Sequence, residues 1–267
     1  MPSPSLCRAS LTFGAACLAM IALPVQAQEA ETFQRVRVGV GPGFGPAYPG
    51  AGDVTFGPYF DIDLAADGEL FGFESPDESF GIPVVEFGGF YIGPAIALTG
   101  KRKQEDTAPG LRTIGTTIEP GVALQAELGD RFYTYAEVRR GINGHNAFTG
   151  QAGVDYIVRA ADSDFAVSVG PRLKWGDAKH AQAYFGVTDA EALASGLDAY
   201  DPDGGIQSVG GVASIDLPID GKWGLMSFAG YQRLVGDAAD SPVTRLFGSR
   251  DQWTGGVVLT YTFRRKR

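Results

Sequence analysis

His145 and His180 are the chain's two histidines, and Ser195 and Asp198 follow the second of them closely. Ser195, His180 and Asp198 can be drawn as nucleophile, base and orienting group of an acyl hydrolase, a chemistry known in membrane barrels. The plain alternative is that both histidines stand at strand–loop junctions, where a polar ring at a membrane edge needs no catalytic reason. They lie thirty-five positions apart with no carboxylate at a ligand spacing, so they make no metal site. Cys7 and Cys17, the chain's two cysteines, both lie near its start. "GPGFGP" (41–46) fails the dinucleotide fingerprint, because Phe44 and Pro46 stand where glycines are needed and no helix follows. "DGKWG" (220–224) is no phosphate loop. The chemistry-bearing residues thus predict no enzyme, no cofactor and no metal.

One polar pair has a clear structural meaning. Thr188 and Glu191 have the T-x-x-E spacing of a capping box, in which hydroxyl and carboxylate each satisfy a backbone N–H at a helix start. Ala190, Ala192, Leu193 and Ala194 favour helix, and Gly196 suits a left-handed end. A two-turn helix over 189–195 is expected, with Tyr184, Phe185, Val187, Leu193 and Leu197 as its apolar face.

The elements around that helix read as strands. "WTGGVVLTYTF" (253–263), "VTFGPYFDIDL" (54–64), "FYIGPAIAL" (90–98) and "DFAVSVGPRLKW" (164–175) alternate large apolar with polar or small residues. Each is about ten residues long, enough for a tilted strand to cross a bilayer. Twelve strands are expected near 35–44, 54–64, 69–75, 80–87, 90–100, 113–127, 131–141, 149–159, 164–176, 205–217, 222–234 and 252–263. Alternate connections are short ("AADG" at 65, "GG" at 88, "LGD" at 128, "AADS" at 160, "PIDG" at 218), and most of the others are long. An outer-membrane barrel sorts its loops this way, with short turns and both termini in the periplasm, whereas a β-sandwich does not. The fold class is therefore all-β, an antiparallel transmembrane barrel with a short helix in its longest loop, 177–204. That loop is expected to fold over or into the barrel mouth; a helix packed on its own loop outside the barrel is the alternative.

Residues 1–27 carry a short apolar run ending "PVQA" and read as a secretory signal cleaved before Gln28, leaving 28–267 as one barrel domain. Both cysteines leave with the signal. A net charge of −9 argues against nucleic-acid binding, which needs cationic surface to displace counterions. The run "KRK" (101–103) reads as loop charge facing lipopolysaccharide, and "RRKR" (264–267) as a solvated periplasmic end.

Four blocks resemble the MipA/OmpV family of Gram-negative outer-membrane proteins. They are "GVGPGFGPAYPG" (39–50) with Pro46, Tyr48 and Gly50; "RRGINGHNAFTG" (139–150) with His145; "YFGVTDAEALASGLDAY" (184–200) with Tyr184, Phe185, Gly186, Ser195 and Gly196; and "QRLVGDAADSPVTRLFGS" (232–249) with Asp237, Ser241, Pro242 and Gly248. The first block departs at Ala51, where the family often has Ser, and the second has extra residues before Gly150. The resemblance implies a location in the outer membrane, in contact with its lipid. It further implies, in one branch, a non-catalytic scaffold holding a murein lytic transglycosylase beside a penicillin-binding protein in the cell envelope. Channel or surface adhesin is the alternative, and acyl hydrolase a further one. The family attributes no catalytic residue that could be carried over.

Overall fold

A computed structural model describes residues 33–266, so the expected signal sequence and its cleavage point lie outside the described residues. Twelve strands form one antiparallel sheet: β1 (Phe33–Pro46), β2 (Val54–Ala66), β3 (Phe80–Gly81), β4 (Val85–Phe87), β5 (Phe90–Thr99), β6 (Thr117–Leu128), β7 (Phe132–Arg140), β8 (Phe148–Arg159), β9 (Ala166–Gly176), β10 (Gly205–Pro218), β11 (Trp223–Leu234) and β12 (Asp251–Lys266). The helices are α1 (Ala178–Tyr184), α2 (Asp189–Ser195), α3 (Gly236–Asp240) and α4 (Pro242–Phe247). The strand order is β2-β1-β12-β11-β10-β9-β8-β7-β6-β5-β3, with β4 also on β5. The first and last strands are neighbours, Phe33 opposite Lys266, and the sheet curls into a barrel wall.

Polarity in this wall is inverted relative to a soluble core. Val122, Val138, Val154, Val158, Val169, Trp253 and Val257 are exposed on the outer face. On the inner face Arg37, Asp63, Glu119, Glu137, Arg139, Asp155, Arg172 and Asp216 are buried. Water would penalise that arrangement twice, by exposing apolar area and by burying charge. Hydrocarbon outside and ion pairs inside make it stable, as in transmembrane barrels. No described helix is long and apolar enough to cross a membrane.

The expected strands hold at ten positions within a few residues. The stretch 80–87 splits into β3 and β4 at Pro83, where the pairing with β5 shifts by one residue between Gly81 opposite Ala95 and Val85 opposite Ile92. Ile82 and Val84 still donate to Pro94 and Ile92, so the two pieces share one track along β5.

The expected strand 69–75 is absent from the wall, which corrects the sequence reading. β2 reaches the short-turn rim at Ala66, and residues 67–79 return through the barrel interior to Phe80 near the opposite rim. The alternation of Phe71 and Phe73 with smaller residues mimics a wall strand. Here those rings meet inward-facing groups instead: Phe71 lies under Arg35 and Arg37, 4.4 and 4.6 Å from their guanidinium carbons, and Phe73 packs edge-on against Tyr133.

Val154 lies mid-way along β8 and faces outward. Val154→Arg should lower barrel stability by about 2–4 kcal/mol. A urea titration in lipid, read by heat-dependent gel mobility of the folded band, checks this.

Candidate functional site

Every long-loop connection contributes to a roof over one rim. The loop 177–204 is the longest. Asp177 caps α1, accepting from the His180 N–H at 2.8 Å, and also accepts from the Phe148 N–H at 3.0 Å. α2 forms over the expected residues. The Thr188 hydroxyl accepts from the Glu191 N–H (3.3 Å), the Glu191 carboxylate accepts from the Thr188 N–H (3.0 Å), and Gly196 is left-handed. Glu191 also takes a forked pair of bonds from Arg112, 2.8 and 2.6 Å, tying α2 to the β5–β6 loop.

The loop therefore folds over the mouth, with Tyr184, Phe185 and Val187 buried in two apolar clusters and Leu197 packed at the edge of one of them. Leu193 departs from the expected apolar face: it is 90% exposed, because α2 turns that side outward. Arg102 also corrects the sequence reading. It is no lipopolysaccharide-facing charge but is fully buried, donating to the Tyr184 carbonyl at 2.7 Å and the Arg112 carbonyl at 3.2 Å.

The four sequence blocks meet in this roof. Tyr48 and Phe185 share a cluster with Leu234, Ala238 and Ala239. Gly50 has φ +87°, and a Cβ there would press on the Phe185 ring at 3.0 Å. Gly248 lies so close to the Gly50 carbonyl that a Cβ would sit 2.0 Å from its oxygen. The Ser241 hydroxyl caps α4 through the Val243 N–H and donates to the Phe185 carbonyl at 2.6 Å, while Pro242 opens the helix. Asp237 accepts from the Asp203 N–H through its carboxylate and from the Tyr200 hydroxyl through its carbonyl. Gly186 lies buried between the Phe185 and Val187 packing positions. Helices α1, α3 and α4 are not among the sequence expectations, although the Ser241-Pro242 pair is a recognisable start signal for α4.

The drawn triad is not assembled. Ser195 donates to the Glu191 carbonyl at 2.6 Å, within its own helix, and Asp198 is exposed. The His180 ring instead packs on His145 and Tyr184, centroids 4.8 and 5.0 Å apart. His145 continues downward, its Nε2 lying 3.1 Å from Glu119. From there the contacts run Glu119–Arg139–Glu137, then to Ser79 of the interior segment. Asp77 of the same segment meets Arg172, which also holds Asp155 at 2.9 Å. Sequence reasoning missed this ladder. Its signal was the charge at inward positions of alternating strands, as in "TIE" (117–119) and "EVR" (137–139).

Burial pushes the His180 pKa down to about 4, helped by neighbouring His145, so the ring is neutral at pH 7. Burial opposes ionisation of Glu191 too, but Arg112 and the backbone N–H groups outweigh it and hold the carboxyl at about 2. Between about pH 6.5 and 4 the unfolded chain binds a proton at His180 that the folded roof refuses. Between about 4.5 and 2 the same holds at Glu191, so roof stability falls in both windows on acidification. Protease protection of 184–200 should decline across this range. The lower stage should vanish in Glu191→Gln, whose protection is already reduced at pH 7. Thr188→Ala should cost the roof roughly 1 kcal/mol, raising cleavage there while heat-modifiability persists.

The wall, the sorted rims and the roof agree with what comparison with known proteins finds. The family model described as MltA-interacting protein MipA matches residues 38–263. The outer membrane protein OmpV of Vibrio cholerae serotype O1 (strain ATCC 39315 / El Tor Inaba N16961) is 25% identical over 182 residues, 67% of this chain. The match spans 66% of OmpV, just under two thirds of its length. Inverted polarity, a roof assembled from the four blocks and a family match over nearly the whole described barrel lead to one conclusion: the chain belongs to the MipA family and resides in the outer membrane.

Proposed function

We propose that this protein is a non-catalytic scaffold that holds a periplasmic murein-remodelling enzyme, a lytic transglycosylase or a penicillin-binding protein, at the outer membrane. The observation that carries this reading is the contrast between the two rims. The long-loop rim is roofed by four packed helices, and its most distinctive residues are engaged with one another. The opposite rim, where a murein enzyme would approach, presents short turns with exposed acidic side chains at Asp130, Asp162 and Asp220. The family's description names an interaction with MltA, which agrees with a partner of this class.

The physics of such docking is electrostatic steering. The acidic turns attract a basic face on the partner, and the rate of capture falls as salt screens them. Asp67 contributes less, since Arg264 of β12 already lies 3.0 Å away. The scaffold needs no reaction of its own, and Ser195, His180 and Asp198 do not form a relay.

Photo-crosslinking residues in place of Asp130 and Asp162, activated in intact cells, test the proposal. A murein hydrolase or synthase should be captured, with yield falling as salt rises and unchanged in His180→Gln. Capture of lipid and external ligands alone would overturn the scaffold and favour a channel or adhesin. Phospholipid deacylation that disappears in His145→Gln or His180→Gln would overturn the non-catalytic part.

A further inference from the structure

The course of residues 67–79 leaves the wall with an odd number of tracks. β3 and β4 share one track along β5, so the sheet has eleven. Bacterial single-chain barrels have even numbers, because every neighbouring pair, the closing one included, is then antiparallel. Here the sheet's two ends run the same way. β2 goes from the roofed rim at Val54 to the turn rim at Ala66, and β3–β4 goes from Phe80, opposite Ile96, to Phe87, opposite Phe90. Direct closure between them would be parallel. A second copy offers no better partner, since copies in one membrane share an orientation and its edges run in the same direction too.

One strand running toward the roof would be antiparallel to both ends, and the chain owns such a strand. Residues 67–79 join the foot of β2 to the head of β3 and run in that direction. Over 70–74 their sequence fits a wall position: Phe71 and Phe73 would face lipid while Leu70, Gly72 and Glu74 faced the interior, and Pro76, Asp77, Glu78 and Ser79 would form the turn into β3. The interior seat is made of side chains rather than a β-ladder. The N–H groups of Phe71, Ser75 and Ser79 donate to the carboxylates of Asp164, Glu78 and Glu137. Arg172 and Gln151 hold Asp77, and Gln125 holds Glu78. Such a seat can be exchanged for ladder hydrogen bonds without leaving the backbone unsatisfied.

We propose that residues 67–79 are a movable twelfth strand. In the described state they cross the lumen, and in a second state they enter the wall between β2 and β3–β4, completing an even barrel and clearing a charged path for small hydrophilic solutes. The ion pairs of Arg172 hold the first state, and their loss favours the second.

Residues 33–266 contain no cysteine, which makes site-directed labelling of the barrel direct. A nitroxide on Phe73→Cys should gain contact with membrane-dissolved oxygen several-fold when combined with Arg172→Gln or the milder Asp77→Asn. Planar-bilayer openings should rise at least tenfold in the same variants without the label. Joining Ser79→Cys to Glu137→Cys with a short cleavable thiol crosslinker should abolish those openings, and cleaving it should restore them. The tether is also applied to the chain with Arg172 and Asp77 intact, so the result does not depend on either release variant folding. Openings indifferent to the tether, or oxygen contact at residue 73 equal in every heat-modifiable variant, would overturn the proposal.

Discussion

Hydrocarbon around the wall is the constraint from which the rest follows. A strand in that solvent must place apolar side chains outward and satisfy every backbone group laterally. Polar residues are then driven to the inside, where each charge needs a counter-charge to be tolerated. Arg172 illustrates the consequence: 4% exposed, it is held by Asp155 of the adjacent strand and by Asp77 of the interior segment, with Tyr135 beside it. Asp77 cannot be provided by the wall alone. The interior segment is thus part of the electrostatic solution, and it fills space while it neutralises charge.

The same constraint decides what the sequence could reveal. A two-sided environment writes a period-two code, so ten of the strands and their rims were legible within a few residues. The capping box at Thr188 and Glu191 was equally legible, because a helix start is a local hydrogen-bonding problem solved by residues three apart. The stretch 69–75 was not. Its alternation of aromatics is the same whether Phe71 and Phe73 face lipid or face Arg35, Arg37 and Tyr133 inside, and periodicity cannot distinguish the two. Arg102 failed for a related reason. A basic residue in a loop reads as solvated, and only the fold brings the carbonyls of Tyr184 and Arg112 to two of its guanidinium nitrogens, its Nε having no hydrogen-bond partner among the described residues.

The roof is coupled to the lumen by contact. His180 and His145 pack against one another, His145 meets Glu119, and Glu119 leads through Arg139 and Glu137 to Ser79. The roof and the groups that hold the interior segment thus belong to one continuous chain of contacts. The first link is ring packing, whereas those from His145 to Glu137 are buried polar contacts, where removing one partner leaves the other unsatisfied at a cost of about 1–3 kcal/mol. The histidines that first suggested catalysis serve here as the joint between the roof and the charged interior.

An apparent conflict in the family resemblance also resolves on physical grounds. The blocks that carry it lie at the outer rim, whereas a murein enzyme works in the periplasm. Wall positions obey a coarse apolar–polar code that many residues satisfy, so they leave little that is recognisable. Roof positions obey exact packing. Gly248 is required by a backbone contact closer than any Cβ allows, Gly50 by its left-handed φ beneath the Phe185 ring, Ser241 by a cap and a carbonyl at once, and Tyr48 and Phe185 by one shared cluster. Packing alone accounts for these residues, and none has to touch a ligand. Recognisability in this chain therefore follows how narrowly the fold limits a position, and the face that meets a partner can be the one written in the least distinctive residues.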